Sequence, residues 1–329
     1  MLFRSGETNL ISFDMGGTTA KASLIRDGQI EVTADYEVGG TGSQNRWVTG
    51  SGHPIRVPVI DLAEVSAGGG SIAWIDPAGS LRVGPHSAGA EPGPVCYGQG
   101  GDQPTVTDAN LVLGYLDAHS LLGGDLPIDY QRAEYALQKK IGDPMNMTAL
   151  QAAAAVREIV NNGMAEALRI VSIERGHDPR EFSLVAFGGA GPVHAAALAD
   201  ELDIPRIIVP PIPGGFSALG LVMTDVRRDY ARTLYRQLED LPASDIEAVW
   251  SELQAQGEEM LRSTGISPDL WRFRRSADLR YSRQAYELNV TAEPGEFTDK
   301  TKAELAGNFH SRHEQTYGHK NLTEPVHLV

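Results

Sequence analysis

The sequence Ser183-Leu184-Val185-Ala186-Phe187-Gly188-Gly189-Ala190-Gly191-Pro192 joins a short apolar run directly to a glycine-rich turn. The apolar run predicts a buried strand over 183–187, and Pro192 suits the first turn of a helix that we expect around Val193–Leu202. A further apolar run predicts another strand at Arg206–Val209. Strand, helix and strand in this order make a βαβ unit, which favours a parallel sheet in an α/β domain.

A second glycine turn lies near the start of the chain, in Phe13-Asp14-Met15-Gly16-Gly17-Thr18-Thr19-Ala20-Lys21. The flanking residues predict a strand, a tight turn and a second strand. Glycines let backbone N–H groups come close to an anion, the two threonines add hydroxyl donors, and an acid at the position of Asp14 can hold Mg²⁺ directly or through water. On these residues alone, a plain hairpin with a two-glycine turn is favoured, and the spacing of Lys21 excludes a Walker A loop.

The glycines are clustered rather than scattered. Of the 36 glycines in 329 residues, three groups directly follow apolar runs: Gly16-Gly17, Gly68–Gly70, and Gly188-Gly189 with Gly191. The last group precedes a helix whose free N–H groups and positive dipole end would face an anion. Its spacing differs from the G-x-G-x-x-G of a Rossmann fingerprint, so it is a weak signal by itself. Taken with Gly16-Gly17, it matches the phosphate and adenosine loops of the actin-like ATPase fold.

Long-range organisation is indicated by one strong helix signal and one change of composition. Thr148-Ala149-Leu150-Gln151 is a capping box, and apolar residues at spacings of three and four continue until Gly176, which predicts a single long helix. After Asp225 the sequence becomes more charged and alternates between helix and strand patterns. We therefore expect a boundary near 230–240, with a separate α+β element beyond it.

Composition excludes several classes of protein. The chain carries 28 Lys+Arg and 43 Asp+Glu, a formal net charge of −15, and we expect neither nucleic acid nor a membrane as a partner. One cysteine, Cys96, cannot form an internal disulfide or a cysteine-built zinc site and suits a reducing compartment. The sequence has neither a run of about 20 apolar residues nor a secretory signal at its start, so we expect a cytoplasmic protein.

More specific information comes from five segments: Asp14–Thr18, Ser66–Ala73, Val83–Pro94, Thr105–Asn110 and Phe187–Ala195. Their residues and order resemble the consecutive motifs of the hydantoinase A/5-oxoprolinase family, which includes N-methylhydantoinase A-like proteins and is related to acetone carboxylase beta subunits. The resemblance implies an α/β fold, an actin-like ATPase core of ribonuclease H-like type, over residues 8–230. Residues 231–329 would then be the start of a small C-terminal α+β region.

The family resemblance also implies a function: an ATP-dependent hydrolase that opens cyclic amides of the hydantoin or 5-oxoproline type by phosphorylating the amide oxygen. ATP and Mg²⁺ are the implied cofactors, with Asp14 as a catalytic residue that positions the metal. The residues expected to contact the nucleotide are Gly16, Gly17, Thr18, Thr19, Gly68, Gly69, Gly70, Gly188, Gly189 and Gly191. Two alternatives stay open: the ATP-binding subunit of an acetone- or acetophenone-type carboxylase, and a non-catalytic nucleotide-gated scaffold subunit.

The chain departs from the family pattern at both ends. Full-length members begin with another module that has its own Asp-x-Gly-Gly-Thr loop, whereas only a short segment precedes Asp14, and the family continues beyond Val329. We therefore expect this chain to be the middle of a longer protein and to show little activity alone. The expected partners are the missing N-terminal module, a hydantoinase B-type subunit and a small cyclic amide; a homo-oligomer is an open possibility.

Several other polar residues have a structural interpretation, a functional one, or both. Asp61 follows an apolar run and is either a second catalytic or metal-orienting acid or a structural turn acid. Thr107 is expected to cap a short helix, and for Asp108 and Asn110 at that helix start capping is favoured over a functional role. His194, in the first turn after the glycine loop, is expected to be half-exposed, with contact to the nucleotide as the alternative.

Overall fold

The protein is described from a computed structural model, over residues 5–33, 36–38, 53–55, 59–119 and 126–329. The chain forms two compact units, Met1–Glu31 with Asp35–Thr224, and Val32–Ala34 with Asp225–Val329. The division after Thr224 falls slightly before the boundary expected near 230–240. The domain limits 8–230 and 231–329 stay a prediction.

A mixed sheet forms the centre of the first unit. In chain order, the strands before Asp225 are β1 (Leu10–Met15), β2 (Ala20–Arg26), β3 (Gln29–Ile30), β4 (Val32–Thr33), β5 (Tyr36–Val38), β6 (His53–Ile55), β7 (Val59–Ile60), β8 (Leu62–Val65), β9 (Ser71–Ile75), β10 (Leu81–Ser87), β11 (Ser183–Phe187) and β12 (Arg206–Ile208). The order in the sheet is β12-β11-β1-β2-β3, and β8 also pairs with β2. β11 is parallel to both β1 and β12, whereas β2 is antiparallel to its neighbours. The predicted hairpin and βαβ unit are confirmed.

The first unit also contains helices, some of which pack on this sheet. They are α1 (Val106–Val112), α2 (Tyr130–Leu137), which continues as a π-helical segment at Gln138–Gly142 and a helical turn at Asp143–Met145, α3 (Ala149–Val171), α4 (Gly191–Glu201) and α5 (Phe216–Val222). α3 packs on β2 and β8 and also contacts α1 and α4. Val156, Val160 and Met164 on its inner face join Phe13 in the buried core. α3 is therefore the helix that holds the layers of this unit together.

The structure confirms the start of α3 and corrects its end. The side chain of Thr148 accepts a hydrogen bond from the N–H of Gln151 at 3.2 Å, and the reciprocal bond of the capping box is present. The helix ends at Val171 rather than at Gly176, because Ser172 leaves helical geometry and a 3-10 turn follows. Leu150 is exposed, since helical spacing places it on the same face as the exposed residues four and eight positions later.

The second unit has the α+β character expected after Asp225. Its elements are β13 (Arg236–Gln237), α6 (Ala243–Ser263), β14 (Ser276–Tyr281), β15 (Leu288–Thr291), α7 (Asp299–Tyr317) and β16 (Val326–Leu328). The strands form an antiparallel sheet in the order β13-β16-β14-β15. Trp250 of α6 and Phe309 of α7 belong to its buried core. Across the described ranges of both units, no helix is both long and apolar enough to cross a bilayer.

Candidate functional site

Asp14 lies at the carboxyl end of β1, opposite Phe187 at the end of β11. Because β1 and β11 are parallel, the loops that follow them leave the sheet at the same edge, which is the usual ligand-binding edge of such sheets. The two loops are the turn Gly16–Thr19 and the segment Gly188–Gly191. The topology thus brings together two glycine groups that are far apart in the sequence.

The segment Gly188–Gly191 packs tightly on the end of β1. Gly188 has a φ of +82°, and a Cβ at this position would lie 2.8 Å from the carbonyl carbon of Met15 and closer still to Oδ1 of Asp14. The N–H of Ala190 donates to the carbonyl oxygen of Met15 at 2.9 Å. Both the backbone conformation and the contact with Asp14 therefore require glycine at position 188.

The Gly68–Gly70 loop lies beneath the Gly16–Thr19 turn. The N–H of Gly69 donates to the carbonyl oxygen of Gly16 at 3.0 Å, and that of Gly70 to the carbonyl oxygen of Gly17 at 2.7 Å. A Cβ on Gly68 would lie 2.5 Å from the carbonyl carbon of Gly17. All three glycines of this loop are buried. They support the turn from behind, and their expected contact with a nucleotide stays a prediction.

Thr107 holds the Gly68–Gly70 loop in place instead of capping α1. Its N–H and its Oγ1 hydroxyl both donate to the carbonyl oxygen of Gly69, each at 2.8 Å. The cap of α1 is Thr105, whose side chain forms a capping box with Asp108. The prediction that Thr107 caps the helix was wrong because Thr105, two residues earlier, has the extended conformation that a cap requires.

The other side of the Gly16–Thr19 turn is open. A Cβ on Gly16, Gly17 or Gly189 would meet no atom within 4 Å. Within the part of the chain that the structure describes, the N–H groups of Gly17, Thr18 and Gly189 form no hydrogen bond, and neither do the hydroxyls of Thr18 and Thr19. The edge beside Asp14 therefore offers several donors to a ligand.

The carboxylate of Asp14 is half-buried and held by α5. The hydroxyl of Ser217 donates to Oδ2 of Asp14 at 2.8 Å. Phe216, the preceding residue, packs edge-to-face on Phe187 with ring centroids 5.1 Å apart. Ser217 was missed from the sequence, where its only signal is a hydroxyl within a stretch rich in glycine and proline.

Asp61 lies away from this edge. Its carboxylate accepts two hydrogen bonds from Arg175, at 2.7 and 2.9 Å, in an ion pair whose side chains are only 15% and 18% exposed. The register of β8 on β2 sets Val65 opposite Ala20, beside the glycine turn, so Asp61 lies beyond the opposite end of β8. The structure does not bring Asp61 together with Asp14, and a catalytic role for Asp61 stays a prediction.

Asp108 has the capping role that the sequence favoured. Its carboxylate accepts hydrogen bonds from the N–H groups of Val95, Cys96 and Thr105 and from the hydroxyl of Thr105. Burial raises the pKa of the Cys96 thiol well above its usual range, and the charge of Asp108 adds to this. Asp108 is therefore a structural acid that ties the start of α1 to the preceding loop.

His194 is fully buried, so the expectation of a half-exposed residue was wrong. Its Nε2 lies 3.0 Å from Nδ2 of Asn110, and its Nδ1 lies 2.6 Å from Oδ1 of Asn161. An amide NH₂ only donates and an amide oxygen only accepts, so this pairing fits a neutral imidazole with its proton on Nδ1. Burial, with a smaller contribution from the charge of Arg157, lowers the pKa of His194 to about 4. The imidazole ties α4 to α1 and α3.

Two further features bear on ligands. The described residues contain no group of three or more His, Cys, Asp or Glu side chains arranged to hold a metal ion.

A separate cavity of about 350 Å³ lies between α3, α4 and the end of α1, and its lining includes Tyr115, Arg157, Glu158 and Asn161. No residue of the three glycine groups lines this cavity, so it is distinct from the edge at Asp14.

Comparison with known proteins relates the chain to a family. A family model described as hydantoinase/oxoprolinase matches residues 1–230. The chain belongs to the hydantoinase/oxoprolinase family. The caprolactamase alpha subunit of Pseudomonas jessenii is 37% identical over 327 residues, which are 98% of this chain and 45% of that protein. The sequence resemblance to this family is confirmed.

Solved structures lead to the same family and fix the fold class. The crystal structure of the ATP-dependent caprolactamase from P. jessenii matches with a TM-score of 0.84 at 36% identity, over 99% of this chain and 46% of that one. A nucleotide-free structure of acetone carboxylase matches with a TM-score of 0.69 at 26% identity, over 98% and 46%. The predicted actin-like ATPase type of α/β fold is confirmed, and the chain spans slightly less than half the length of these relatives.

Proposed function

We propose that this chain is the ATP-binding core of an ATP-dependent hydrolase that opens small cyclic amides. The observation that carries the proposal is the convergence of two glycine loops on Asp14, where the N–H groups of Gly17, Thr18 and Gly189 are unengaged by described residues. Several free N–H donors at the carboxyl edge of a sheet suit the oxygens of a phosphate. Similarity to an ATP-dependent caprolactamase supports the same class of reaction.

In this proposal, Asp14 holds Mg²⁺ directly or through a water molecule. Mg²⁺ is commonly bound by one or two carboxylates together with phosphate oxygens, which fits an acid beside an open set of phosphate donors. The space above Gly16 and Gly17, which any larger residue would fill, fits the phosphates themselves. Bound ATP would supply the phosphoryl group that makes the amide carbon a better electrophile. The role of this chain is then to bind and orient ATP and to hold its metal.

The proposed partners follow from the requirements of phosphoryl transfer. Phosphoryl transfer needs the metal, the full set of phosphate contacts and an aligned substrate. Because the chain spans less than half of its relatives, we propose that an N-terminal module with a second phosphate loop and a B-type subunit complete the site. The 329-residue chain alone should then bind nucleotide but turn over neither ATP nor a hydantoin at an appreciable rate.

A carboxylase subunit is the second candidate. It is favoured by the match to acetone carboxylase, although both the TM-score and the identity are lower than for caprolactamase. The two reactions are separated by supplying the complete enzyme with ATP and either a hydantoin, 5-oxoproline or lactam, or acetone or acetophenone with bicarbonate. ADP or AMP formation that depends on the cyclic amide supports the hydrolase, and formation that depends on the ketone and bicarbonate supports the carboxylase.

Nucleotide binding is tested by calorimetric titration of the chain with ATP in the presence and absence of Mg²⁺. We expect Asp14→Asn to weaken Mg²⁺-dependent binding at least tenfold, because the metal loses a charged oxygen ligand. Asp200→Asn, an exposed acid on α4 of the same unit, is the matched control and should bind as the wild type does. Equal binding by Asp14→Asn and the wild type would refute the proposed role of Asp14, and unchanged turnover of the complete enzyme with Asp14→Ala would favour a scaffold.

A further inference from the structure

The loop and helix that follow β12 reach back to the acid at the end of β1. Ser217 lies in α5, 203 residues after Asp14, and its hydroxyl donates to Oδ2 of that carboxylate at 2.8 Å. On the other side, Gly188 lies directly against Oδ1, since a Cβ there would overlap this oxygen. The two oxygens of Asp14 therefore have different neighbours, a hydroxyl donor on one and a glycine backbone on the other.

The position of Ser217 depends on specific contacts of this segment. Phe216 packs on Phe187 at the end of β11, and the carbonyl oxygen of Pro213 accepts a hydrogen bond from the N–H of Gly188 at 2.9 Å. No residue of α5 is buried. The helix α5 therefore contributes nothing to the core. Its first residues nevertheless contact both strands that lead into the glycine loops, because Phe216 packs on β11 and Ser217 bonds to Asp14 of β1. This placement lets Ser217 act on Asp14.

We propose that Ser217 is a positioning residue for the metal-binding carboxylate of Asp14. This inference rests on the proposed function, in which Asp14 holds Mg²⁺ beside the phosphates of ATP. A hydroxyl that donates to Oδ2 restricts rotation of the carboxylate and presents it in one orientation. Hydrogen-bond partners of metal-binding side chains act in this way, and their removal typically weakens metal affinity or activity about 10–100-fold.

The test measures the affinity of the chain for ATP by calorimetry, as a function of Mg²⁺ concentration and in EDTA. We expect Ser217→Ala to raise the Mg²⁺ concentration that gives half-maximal enhancement of ATP binding by about tenfold or more, with binding in EDTA unchanged. Ser217→Thr keeps the hydroxyl, and its ATP binding should depend on Mg²⁺ concentration almost as that of the wild type does. Thr224→Val removes the hydroxyl that donates to Gly220 at the end of the same segment, and it should behave as the wild type does.

Two results would overturn the positioning role: a Mg²⁺ dependence of Ser217→Ala within twofold of the wild type, or a loss of ATP affinity that is equal in EDTA and in Mg²⁺. The second result would indicate a general structural effect. Asp14→Asn, measured in parallel, separates this inference from the proposed function. If Asp14→Asn weakens Mg²⁺-dependent binding and Ser217→Ala does not, the positioning role alone fails; if neither variant has an effect, both fail.

Discussion

Gly188 and Gly189 are neighbours in the chain, yet their surroundings are opposite. Gly188 is buried, has a φ of +82° and lies against Met15 and Asp14, whereas Gly189 is exposed and has no atom within 4 Å of where a Cβ would be. The same contrast separates Gly68, packed on the backbone of Gly17, from Gly17 itself, which faces open space. One set of glycines lets backbone segments approach each other, and we propose that the other keeps space for a ligand.

This difference shows how the candidate site is built. The buried glycines fix the geometry of the edge at Asp14, and in the proposed function the open glycines provide its binding surface. A substitution in the first set should therefore act on stability, and a substitution in the second set on binding.

The largest effect is expected for Gly188→Ala. An alanine would be forced into left-handed backbone geometry and its Cβ would overlap Asp14 and Met15, so we expect the free energy of unfolding to fall by about 3–5 kcal/mol. Urea denaturation of the whole chain, followed through the unfolding of the first unit, measures this loss of free energy. Gly189→Ala is the matched control, with an expected change below about 0.5 kcal/mol. Similar losses for the two variants would remove the distinction between the two sets of glycines.

The sequence predicted much of this arrangement, for identifiable reasons. The apolar runs at β1, β2, β11 and β12 have strand character, and Thr148 with Gln151 is a local capping signal, so the hairpin, the βαβ unit and the start of α3 were predictable. The clustering of glycines located the three glycine loops, and the motif resemblance implied their contact with nucleotide, which stays a prediction. These signals all depend on residues that are close together in the chain.

What the sequence missed depends on contacts between distant segments. Thr107 bonds to Gly69 across 38 positions, and Ser217 bonds to Asp14 across 203. The burial of His194 follows from its partners Asn110 and Asn161, which lie on two other helices. No periodicity or local motif encodes such pairs. The difference between Gly188 and Gly189 is of the same kind, because it depends on how β1 meets β11.

A second prediction concerns the framework behind the glycine loops and depends on pH. The pKa of His194 is about 4 in the folded chain, against an ordinary value of 6.5, so the unfolded chain binds this proton first as the pH falls. The contribution of the neutral His194 to the free energy of unfolding is therefore complete above pH 6.5 and is lost as the pH falls from 6.5 towards 4. Between pH 7.5 and 5, the loss from this residue amounts to about 2 kcal/mol.

The measurement is urea denaturation of the wild type and His194→Gln at both pH values. Glutamine does not titrate. When the pH falls from 7.5 to 5, the free energy of unfolding of His194→Gln should therefore fall by about 2 kcal/mol less than that of the wild type. Parallel pH dependence of the two proteins would show that His194 does not titrate as its buried position requires.

The smallest effect is expected for Asp61→Asn, away from the open glycines. Loss of the partly buried, two-bond pair with Arg175 should lower the free energy of unfolding by about 1–2 kcal/mol. ATP binding in Mg²⁺ should be unchanged in calorimetric titration, and Arg175→Gln should give the same pair of results. A tenfold loss of ATP affinity in Asp61→Asn, without one in Arg175→Gln, would instead support the reading of Asp61 as a second functional acid.

The central claim is that the open face formed by Gly17, Thr18 and Gly189 beside Asp14 receives the phosphates of ATP. A crystal structure of the chain with Mg²⁺ and a non-hydrolysable ATP analogue tests it most directly. We predict phosphate oxygens about 2.7–3.2 Å from the N–H nitrogens of Gly17 and Thr18, with the metal bound to Asp14 directly or through water. Nucleotide bound elsewhere, for instance in the cavity beside Arg157, with this edge unoccupied, would contradict the claim.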